Sequence, residues 1–345
     1  MKRALVISGG GSKGAFAVGV LKQLFTVFPN LDFDIYVGSS AGSLVVSLAA
    51  LNQMDTLNTI YSTVSNDDLF IEGNIIDKLG DTSLFDVTPA WNLINNKYPD
   101  AAYNQLKASG KKVFLTTVCL QTNQLNVFTN DAASIHASDY KVVQTLDANH
   151  YRRALLASCC EPVFMQPIQI GRNVPGAANP DFQYVDGGVL KYVGIEMAID
   201  AGATEIFAIL LSPDKSTVEK NQFTNLMSIL GETVDILTSD VGKTDVAITD
   251  QYAAALQYID DVKTKMKANG VAENDINNYF TLPGTNIFQD KVPIKIFKIR
   301  PEDFLGGGPG GLTFNPAEMQ GMMAKGQTAF SEFAANLPSG DITWA

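Results

Sequence analysis

Four glycines within the first fourteen residues have the spacing of an anion-binding turn. In the segment GGGSKG, Gly9, Gly11 and Gly14 match the G-x-G-x-x-G pattern of dinucleotide-binding turns. Glycines let the backbone approach an anion closely, and the following helix offers unpaired N–H groups at its positive end. A dinucleotide site also needs an acidic residue at the end of the second strand, but Asp32 and Asp34 precede that strand or lie at its start. The segment therefore predicts an anion site, with a nucleotide-dependent oxidoreductase as the alternative function.

A nucleophilic serine is indicated by GSSAG at positions 38–42, which has the form G-x-S-x-G with Ser40 at its centre. A sharp strand-to-helix turn pushes such a serine into the open and requires small neighbours. Those neighbours are Gly38, Ser39, Ala41 and Gly42. The N-terminus of the following helix also favours negative charge that develops close to the serine. The segment predicts a nucleophile elbow.

The base that would activate Ser40 is Asp186, the acid of the segment DGG. Both histidines, His136 and His150, precede Asp186, so the order Ser…Asp…His of α/β-hydrolases cannot be built around this acid. A direct Ser40–Asp186 dyad needs a partly desolvated carboxylate with a raised pKa. Two alternatives stay open, because Asp-Gly pairs are common turn formers and because a triad of unusual order could use His150.

Taken in order, GGGSKG, GSSAG and DGG resemble the patatin-like phospholipase family. The resemblance covers most of the first 211 residues and includes RRALLASCCEPVFMQPI and EMAIDAGATEIFAIL. It implies a three-layer α/β/α fold with a mainly parallel central sheet and a helical C-terminal portion. It also implies a lipid acyl hydrolase that cleaves fatty-acyl esters of phospholipids or lysophospholipids through an acyl-enzyme, by a Ser40–Asp186 dyad. The intact serine, aspartate and glycines argue against a non-catalytic scaffold.

The resemblance further assigns the glycine-rich loop to the oxyanion of the tetrahedral intermediate, held by backbone N–H groups around Gly10 and Gly11. The loop residues so assigned are Gly9, Gly10, Gly11, Ser12, Lys13 and Gly14, and Gly187 and Gly188 complete the DGG motif. Lys13 could strengthen the positive electrostatic field at the oxyanion or bind a phosphate headgroup. The alternative is that Lys13 is a solvated lysine at the start of a helix. One departure concerns the residues after DGG, where VLKYVG replaces the Asn and Pro usual in the family.

Composition restricts the partners. The formal net charge is −11, which excludes nucleic acid and electrostatic docking on anionic lipid, so any membrane contact must be hydrophobic. The expected partner is a lipid or phospholipid substrate. We expect no cofactor and no metal, since the sequence has neither an EF-hand loop nor a histidine cluster. Three cysteines give no disulfide framework, and no signal peptide or spanning segment is visible, which predicts a cytoplasmic protein.

The elements that must position these residues alternate between strands and helices. RALVIS and FDIYVG each predict a buried strand followed by a helix, which implies right-handed crossovers and a parallel sheet. KKVFLTTVCL and QLNVFTN predict a strand pair, and EIFAILL and IKIFKI predict later buried strands.

The chain is expected to form a single domain over residues 1–345, with a motif-bearing core at about 3–211 and a helical insertion or cap at about 215–290. A helical pattern from 221 to about 268 places several apolar residues on one face, for which core packing is favoured over a lipid-facing cap. These residues are Phe223, Leu226, Met227, Leu230, Val234 and Leu237. The later segment GGGPGG, at 306–311, predicts a mobile loop.

Overall fold

The computed structural model describes residues 2–73, 81–135, 139–171, 182–214, 222–282, 288 and 291–337. Within these ranges, the strands are β1 (Arg3–Ile7), β2 (Ile35–Gly38), β3 (Ile71–Glu72), β4 (Phe85–Asp86), β5 (Lys112–Cys119), β6 (Gln124–Thr129), β7 (Lys141–Gln144), β8 (Ile168–Ile170), β9 (Phe182–Asp186), β10 (Glu205–Ile209) and β11 (Lys295–Ile299). The α-helices are α1 (Gly14–Val27), α2 (Ala41–Ala50), α3 (Met54–Thr63), α4 (Thr88–Lys97), α5 (Asp100–Ala108), α6 (Ala148–Cys159), α7 (Ile195–Asp200), α8 (Leu226–Ala268), α9 (Glu273–Phe280) and α10 (Pro316–Ala335).

One large sheet forms the centre of the molecule. Its strands run in the order β11-β10-β1-β2-β5-β6-β7, with β9 added to β5 and β8 added to β9. The neighbours from β11 to β5 pair in parallel, whereas β6 and β9 pair antiparallel to β5. The predicted parallel sheet and the predicted strand pair β5–β6 are therefore confirmed.

Helices cover both faces of this sheet, which explains why its central strands are mainly apolar and buried. On β1, Leu5 and Ile7 belong to one core, which includes residues of α1, α2, α6 and α10. Ala4 and Val6 of the same strand belong to a second core, which includes residues of α7. The three-layer α/β/α arrangement is confirmed, and it brings the carboxyl ends of β1 and β2 side by side at one edge of the sheet.

The long helix α8 departs from the predicted core packing. Asn225 caps its N-terminus by accepting a hydrogen bond from the Ser228 N–H (2.9 Å). Leu230 and Val234 are half-buried against the core, but Leu226 is 72% exposed and Leu237 is 62% exposed. The expectation that one apolar face packs inward is wrong for these two leucines, which lie on the outward side of the helix. Among the described residues, no helix is long and apolar enough to cross a membrane.

Candidate active site

Ser40 occupies the sharp turn between β2 and α2. Its backbone has φ 52° and ψ −132°, which is strained for a residue with a side chain and is a recurrent feature of functional turns. The turn is held by backbone hydrogen bonds from the Gly42 N–H to the Ser39 carbonyl (2.9 Å) and from the Ser43 N–H to the Ser40 carbonyl (2.8 Å). The Cys159 thiol donates to the same Ser40 carbonyl (3.2 Å). The backbone at Ser40 therefore has the sharp, strained strand-to-helix turn that GSSAG predicts.

Small residues around Ser40 are required by close packing. A Cβ on Gly42 would overlap the carbonyl oxygen of Ile7 on the neighbouring strand. The buried Ser39 hydroxyl donates to the Lys191 carbonyl (3.0 Å) and accepts from the Thr116 hydroxyl (2.9 Å). These contacts fix the turn to β1, to β5 and to the segment after β9.

Asp186 lies at the end of β9, where its carboxylate accepts a hydrogen bond from the Gly188 N–H (2.7 Å) and interacts with the Ser40 hydroxyl. The contact with Gly188 is the turn interaction expected of an Asp-Gly pair, so Asp186 closes a local turn and also contacts the serine. Its side chain is buried, because the whole residue is only 6% exposed. Burial raises the pKa of Asp186 to about 7, although its interactions with Ser40 and Gly188 lower it.

The loop that follows β1 passes beside this pair. A Cβ on Gly9 would lie 3.3 Å from the Ser40 Cβ. The Gly9 N–H donates to the Tyr192 carbonyl (3.2 Å), and the Lys13 N–H donates to the Gly10 carbonyl (3.0 Å).

The Gly14 N–H is also used within the loop, since it donates to the Gly11 carbonyl. Gly10 and Gly11 have φ values of 148° and 55°, a region in which residues with side chains are strained. Among the described residues, the N–H groups of Gly10 and Gly11 have no backbone acceptor. The same holds for the Ser12 N–H, so that three of the six loop residues expected at an oxyanion hole, Gly10, Gly11 and Ser12, keep backbone donors that a ligand could use.

The second glycine-rich segment, GGGPGG, packs on the first. A Cβ on Gly11 would overlap the carbonyl oxygen of Gly311, and a Cβ on Gly311 would overlap that of Gly10. The Gly310 N–H donates to the Asp235 carboxylate on α8 (2.8 Å). This segment had been expected to be a mobile loop, but it is anchored, and Gly311 is buried.

Lys13 is only 8% exposed, and its Nζ lies 5.0 Å from the centre of the Phe304 ring. The alternative that Lys13 is a solvated lysine is therefore wrong. The hydroxyl of the neighbouring Ser12 is buried and has no hydrogen-bond partner in the described part of the chain.

Two cavities meet at Ser40. The larger has a volume of about 110 Å³, and its walls are mainly aliphatic and aromatic side chains of α2, α3, α4 and α6, including Leu44, Leu48, Leu57, Ile94 and Leu156. The smaller, of about 30 Å³, has a mixed lining that includes Gly10, Asp186, Val189, Tyr192, Asp235 and Thr238, and we call it the polar cleft because it is the more polar of the two. Ser40, Glu161 and Gly310 line both cavities. The serine thus lies at a junction between an apolar and a polar compartment.

Glu161 was not singled out in the sequence, although an acid directly after the apolar helix α6 is a usable signal. Burial raises the pKa of Glu161 to about 8, and the nearby carboxylates of Asp186 and Asp235 raise it further, whereas Lys13 lowers it. The site therefore contains three neighbouring carboxyl groups, and Glu161 is largely protonated at neutral pH.

A family model for patatin-like phospholipases matches residues 5–199, which is more than half of the chain. The chain belongs to the patatin-like phospholipase family. Because the chain belongs to this family, the nucleotide-dependent oxidoreductase that the glycine spacing left open is no longer the favoured alternative.

Two solved structures are similar to this chain at low sequence identity. VipD from Legionella pneumophila aligns with a TM-score of 0.46 and 11% identity, over 97% of this chain and 66% of that one. Human GIVD cytosolic phospholipase A2 aligns with a TM-score of 0.41 and 8% identity, over 97% of this chain and 59% of that one. This chain therefore spans less than two thirds of the length of either protein. A search of curated protein sequences found no significant match.

The histidines differ in what can be described. His136 lies outside the described residues. His150 is buried on α6, where its Nδ1 accepts a hydrogen bond from the Leu146 N–H (3.2 Å) and burial lowers its pKa. His150 lines neither the apolar cavity nor the polar cleft.

The segment VLKYVG, in which this chain departs from the patatin-like pattern, joins the site to α8. The Asp245 carboxylate on α8 accepts hydrogen bonds from the N–H groups of Tyr192 (2.9 Å) and Val193 (3.0 Å). Lys191 forms ion pairs with Asp245 (3.2 Å) and with Glu196 (2.7 Å). The residues after DGG thus anchor the long helix beside the cleft.

Proposed function

We propose that the protein hydrolyses fatty-acyl esters of phospholipids or lysophospholipids, with Ser40 as the nucleophile and Asp186 as the general base. One observation carries the proposal: Ser40, on its strained turn, and the buried Asp186 carboxylate both line the polar cleft, and Ser40 also lines the apolar cavity, so that the two residues interact where the two cavities meet. Family membership supports the same class of reaction.

In the acylation step, the Ser40 Oγ attacks the ester carbonyl while its proton passes to the Asp186 carboxylate. A carboxyl group with a pKa of about 7 is a useful base near neutral pH, because it is deprotonated yet still accepts a proton readily. The N–H groups of Gly10 and Gly11 hold the oxyanion of the tetrahedral intermediate. When the carbon–oxygen bond to the leaving alcohol breaks, the alcohol takes the proton from Asp186.

In the deacylation step, a water molecule gives its proton to Asp186 and its oxygen attacks the acyl-enzyme carbonyl. The bond to Ser40 then breaks, the serine recovers its proton from Asp186, and a fatty acid leaves. The apolar cavity is suited to the acyl chain, because its lining is mainly aliphatic and aromatic. The polar cleft is open to the headgroup side of the substrate.

We also propose that residues 1–345 form one domain, with a core of about 3–211 and a helical insertion or cap of about 215–290. Two contacts support this arrangement. The chain returns to the central sheet after the helical region, since β11 pairs with β10 in parallel. The helical region itself is tied to the core by the Asp245–Lys191 ion pair.

The experiment is hydrolysis of p-nitrophenyl acyl esters and then of defined phospholipids by the parent protein, Ser40→Ala and Asp186→Asn. We expect Ser40→Ala to lower kcat by about 10³ or more, and Asp186→Asn to be nearly as damaging. A fluorophosphonate probe should label the parent at Ser40 and should not label Ser40→Ala. Activity that persists in the alanine variant, or labelling at another residue, would overturn the proposal.

A further inference from the structure

The first glycine loop, residues 9–14, is flexible where the proposed oxyanion donors lie. Gly10 and Gly11 have no side chains, and their φ values of 148° and 55° lie in a region that glycine adopts readily and other residues do not. An oxyanion hole is effective only where its donors are held in place before the reaction, because a shift of about 1 Å can cost about a hundredfold in rate. These two N–H groups therefore need neighbours that restrict their movement.

The second glycine loop, residues 306–311, is such a neighbour. A Cβ on Gly11 would overlap the Gly311 carbonyl oxygen, and a Cβ on Gly311 would overlap the Gly10 carbonyl oxygen. The two loops thus touch backbone against backbone, with no side chain between them. The position of Gly311 consequently limits the positions that Gly10 and Gly11 can take.

The second glycine loop also needs an anchor. Five of its six residues are glycines, so it has only the ring of Pro309 with which to hold its own position by side-chain packing. It is closed internally by the hydrogen bond from the Gly311 N–H to the Gly308 carbonyl (3.1 Å). On one side, a Cβ on Gly310 would lie 2.8 Å from the Glu161 Oε2, so the loop passes close to the end of α6.

The long helix α8 supplies the anchor on the other side. Gly231 and Asp235 are four residues apart and therefore lie on one face of this helix. Pro309 packs on Gly231, where a Cβ would overlap the Pro309 ring, and the Gly310 N–H donates to the Asp235 carboxylate (2.8 Å). In the described part of the chain, this N–H is the one donor with which the Asp235 side chain forms a hydrogen bond.

We propose that Asp235 is a positioning residue, which holds the Gly10 and Gly11 N–H groups in place through Gly310 and Gly311. The inference rests on the proposed function, because it concerns donors that hold the oxyanion of that reaction. A carboxylate suits this role, since hydrogen bonds to a charged acceptor are stronger than those between neutral groups. Asp235 also lines the polar cleft, so the experiment must separate positioning from direct contact with the substrate.

The first measurement determines kcat and KM of the full chain for a small neutral substrate, p-nitrophenyl butyrate. Asp235→Ala removes the acceptor and should lower kcat about tenfold or more while KM stays within about twofold, because the oxyanion forms only on the way to the tetrahedral intermediate. Asp235→Asn removes the same charge but keeps an acceptor oxygen, so its kcat should stay within about threefold of that of the parent. The matched control is Asp240→Ala, which removes a negative charge at an exposed position of the same helix and should leave kcat and KM unchanged.

The second measurement reports on the oxyanion hole itself. When Ser40 attacks an alkyl trifluoromethyl ketone, its Oγ bonds to the carbonyl carbon, its proton passes to Asp186, and the carbonyl oxygen becomes an oxyanion. A dialkyl ether of matched length occupies the same cavity but forms no oxyanion. Asp235→Ala should weaken inhibition by the ketone about tenfold and leave inhibition by the ether within about twofold. A general loss of structure would instead weaken both inhibitors.

An unchanged kcat in Asp235→Ala would overturn the inference. A raised KM with unchanged kcat would overturn it as well, by making Asp235 a substrate-binding residue. Equal losses in Asp235→Ala and Asp235→Asn, or in Asp235→Ala and Asp240→Ala, would assign the effect to charge and not to the hydrogen bond with Gly310.

The two proposals fail differently. A parent protein that hydrolyses p-nitrophenyl butyrate and is inhibited by the ketone, with an Asp235→Ala variant that behaves identically, contradicts the positioning role and leaves the proposed reaction intact. A folded parent protein that neither hydrolyses esters nor binds the ketone contradicts the proposed reaction, and the positioning role with it.

Discussion

Replacement of Asp186 by Asn should stabilise the fold at pH 8 while it abolishes hydrolysis. Burial raises the pKa of Asp186 from 3.8 to about 7. Between these two pH values, the folded state retains a proton that the unfolded state has lost. Stability therefore falls as pH rises from about 4 to about 7, and above pH 7 the whole penalty of a buried charge is present. Below pH 3.8 both states are protonated and the penalty vanishes.

The magnitude follows from the two pKa values of Asp186. A difference of about three units corresponds to about 4 kcal/mol of unfolding free energy at pH 8, at 1.36 kcal/mol per unit. The charge-assisted contacts of the carboxylate are already contained in this pKa, and the Asn side chain can still accept a hydrogen bond from the Gly188 N–H. We therefore expect Asp186→Asn to gain about 4 kcal/mol at pH 8 and to gain little at pH 4.

The assay is calorimetric unfolding of the parent, Asp186→Asn and Ser40→Ala at several pH values and one scan rate. Ser40→Ala is the matched control, because it removes the activity but keeps the buried carboxyl group. Its Tm should not show the rise at high pH that the Asn variant shows. An Asn variant whose Tm is unchanged or lower at pH 8, or whose gain is the same at pH 4 and pH 8, would refute the reasoning.

Three further predictions concern the surroundings of the site. His150→Gln should keep kcat within about a few-fold of the parent, because His150 lines neither cavity; a loss of about a hundredfold with an intact circular dichroism spectrum would restore a histidine base. Leu48→Trp should lower kcat/KM about tenfold for p-nitrophenyl palmitate and leave kcat/KM for the butyrate ester nearly unchanged, since Leu48 lines the apolar cavity roughly 12 Å along α2 from Ser40. Equal effects on both esters would place the acyl chain elsewhere. Gly326→Ala should destabilise the protein by about 2 kcal/mol or more in urea unfolding, because the added Cβ would overlap the Phe16 carbonyl oxygen. Gly321→Ala on the same helix should instead stabilise the protein by about 0.5–1 kcal/mol, because its added Cβ meets no atom within 4 Å. Similar free-energy changes for the two alanine variants would contradict the close packing of α10 on α1.

Local sequence signals were sufficient for the elements that carry the motifs. β1 and β2 are short apolar runs that end at glycines, and both strands and their following helices lie where the sequence predicts them. The strained turn at Ser40 follows from its small neighbours, because only small residues fit between β1 and α2. These features depend on contacts between residues that are close in sequence or on adjacent strands.

The elements that the sequence analysis predicted wrongly, or did not single out, depend on contacts with residues far away in the sequence. Periodicity located the apolar residues of α8 but could not tell whether Leu226 and Leu237 face protein or solvent, since this depends on which side of the helix meets the cleft. Composition marked 306–311 as a loop, yet the loop is ordered by its contact with Gly11, almost three hundred positions earlier. Glu161 became part of the site only because the end of α6 lies between the two cavities.

The sequence by itself determined the family, the parallel three-layer fold and the identity of a serine, an aspartate and a glycine-rich loop that could act together. Only the tertiary structure decided that the Ser40 hydroxyl and the Asp186 carboxylate come together in one cleft. The physical reason is the sheet register: β5 pairs in parallel with β2 along one part of its length and antiparallel with β9 along another, with Thr117 opposite Asp186. That register brings the ends of two strands together in a buried position, and burial, which no local pattern encodes, then raises the pKa of Asp186 to about 7.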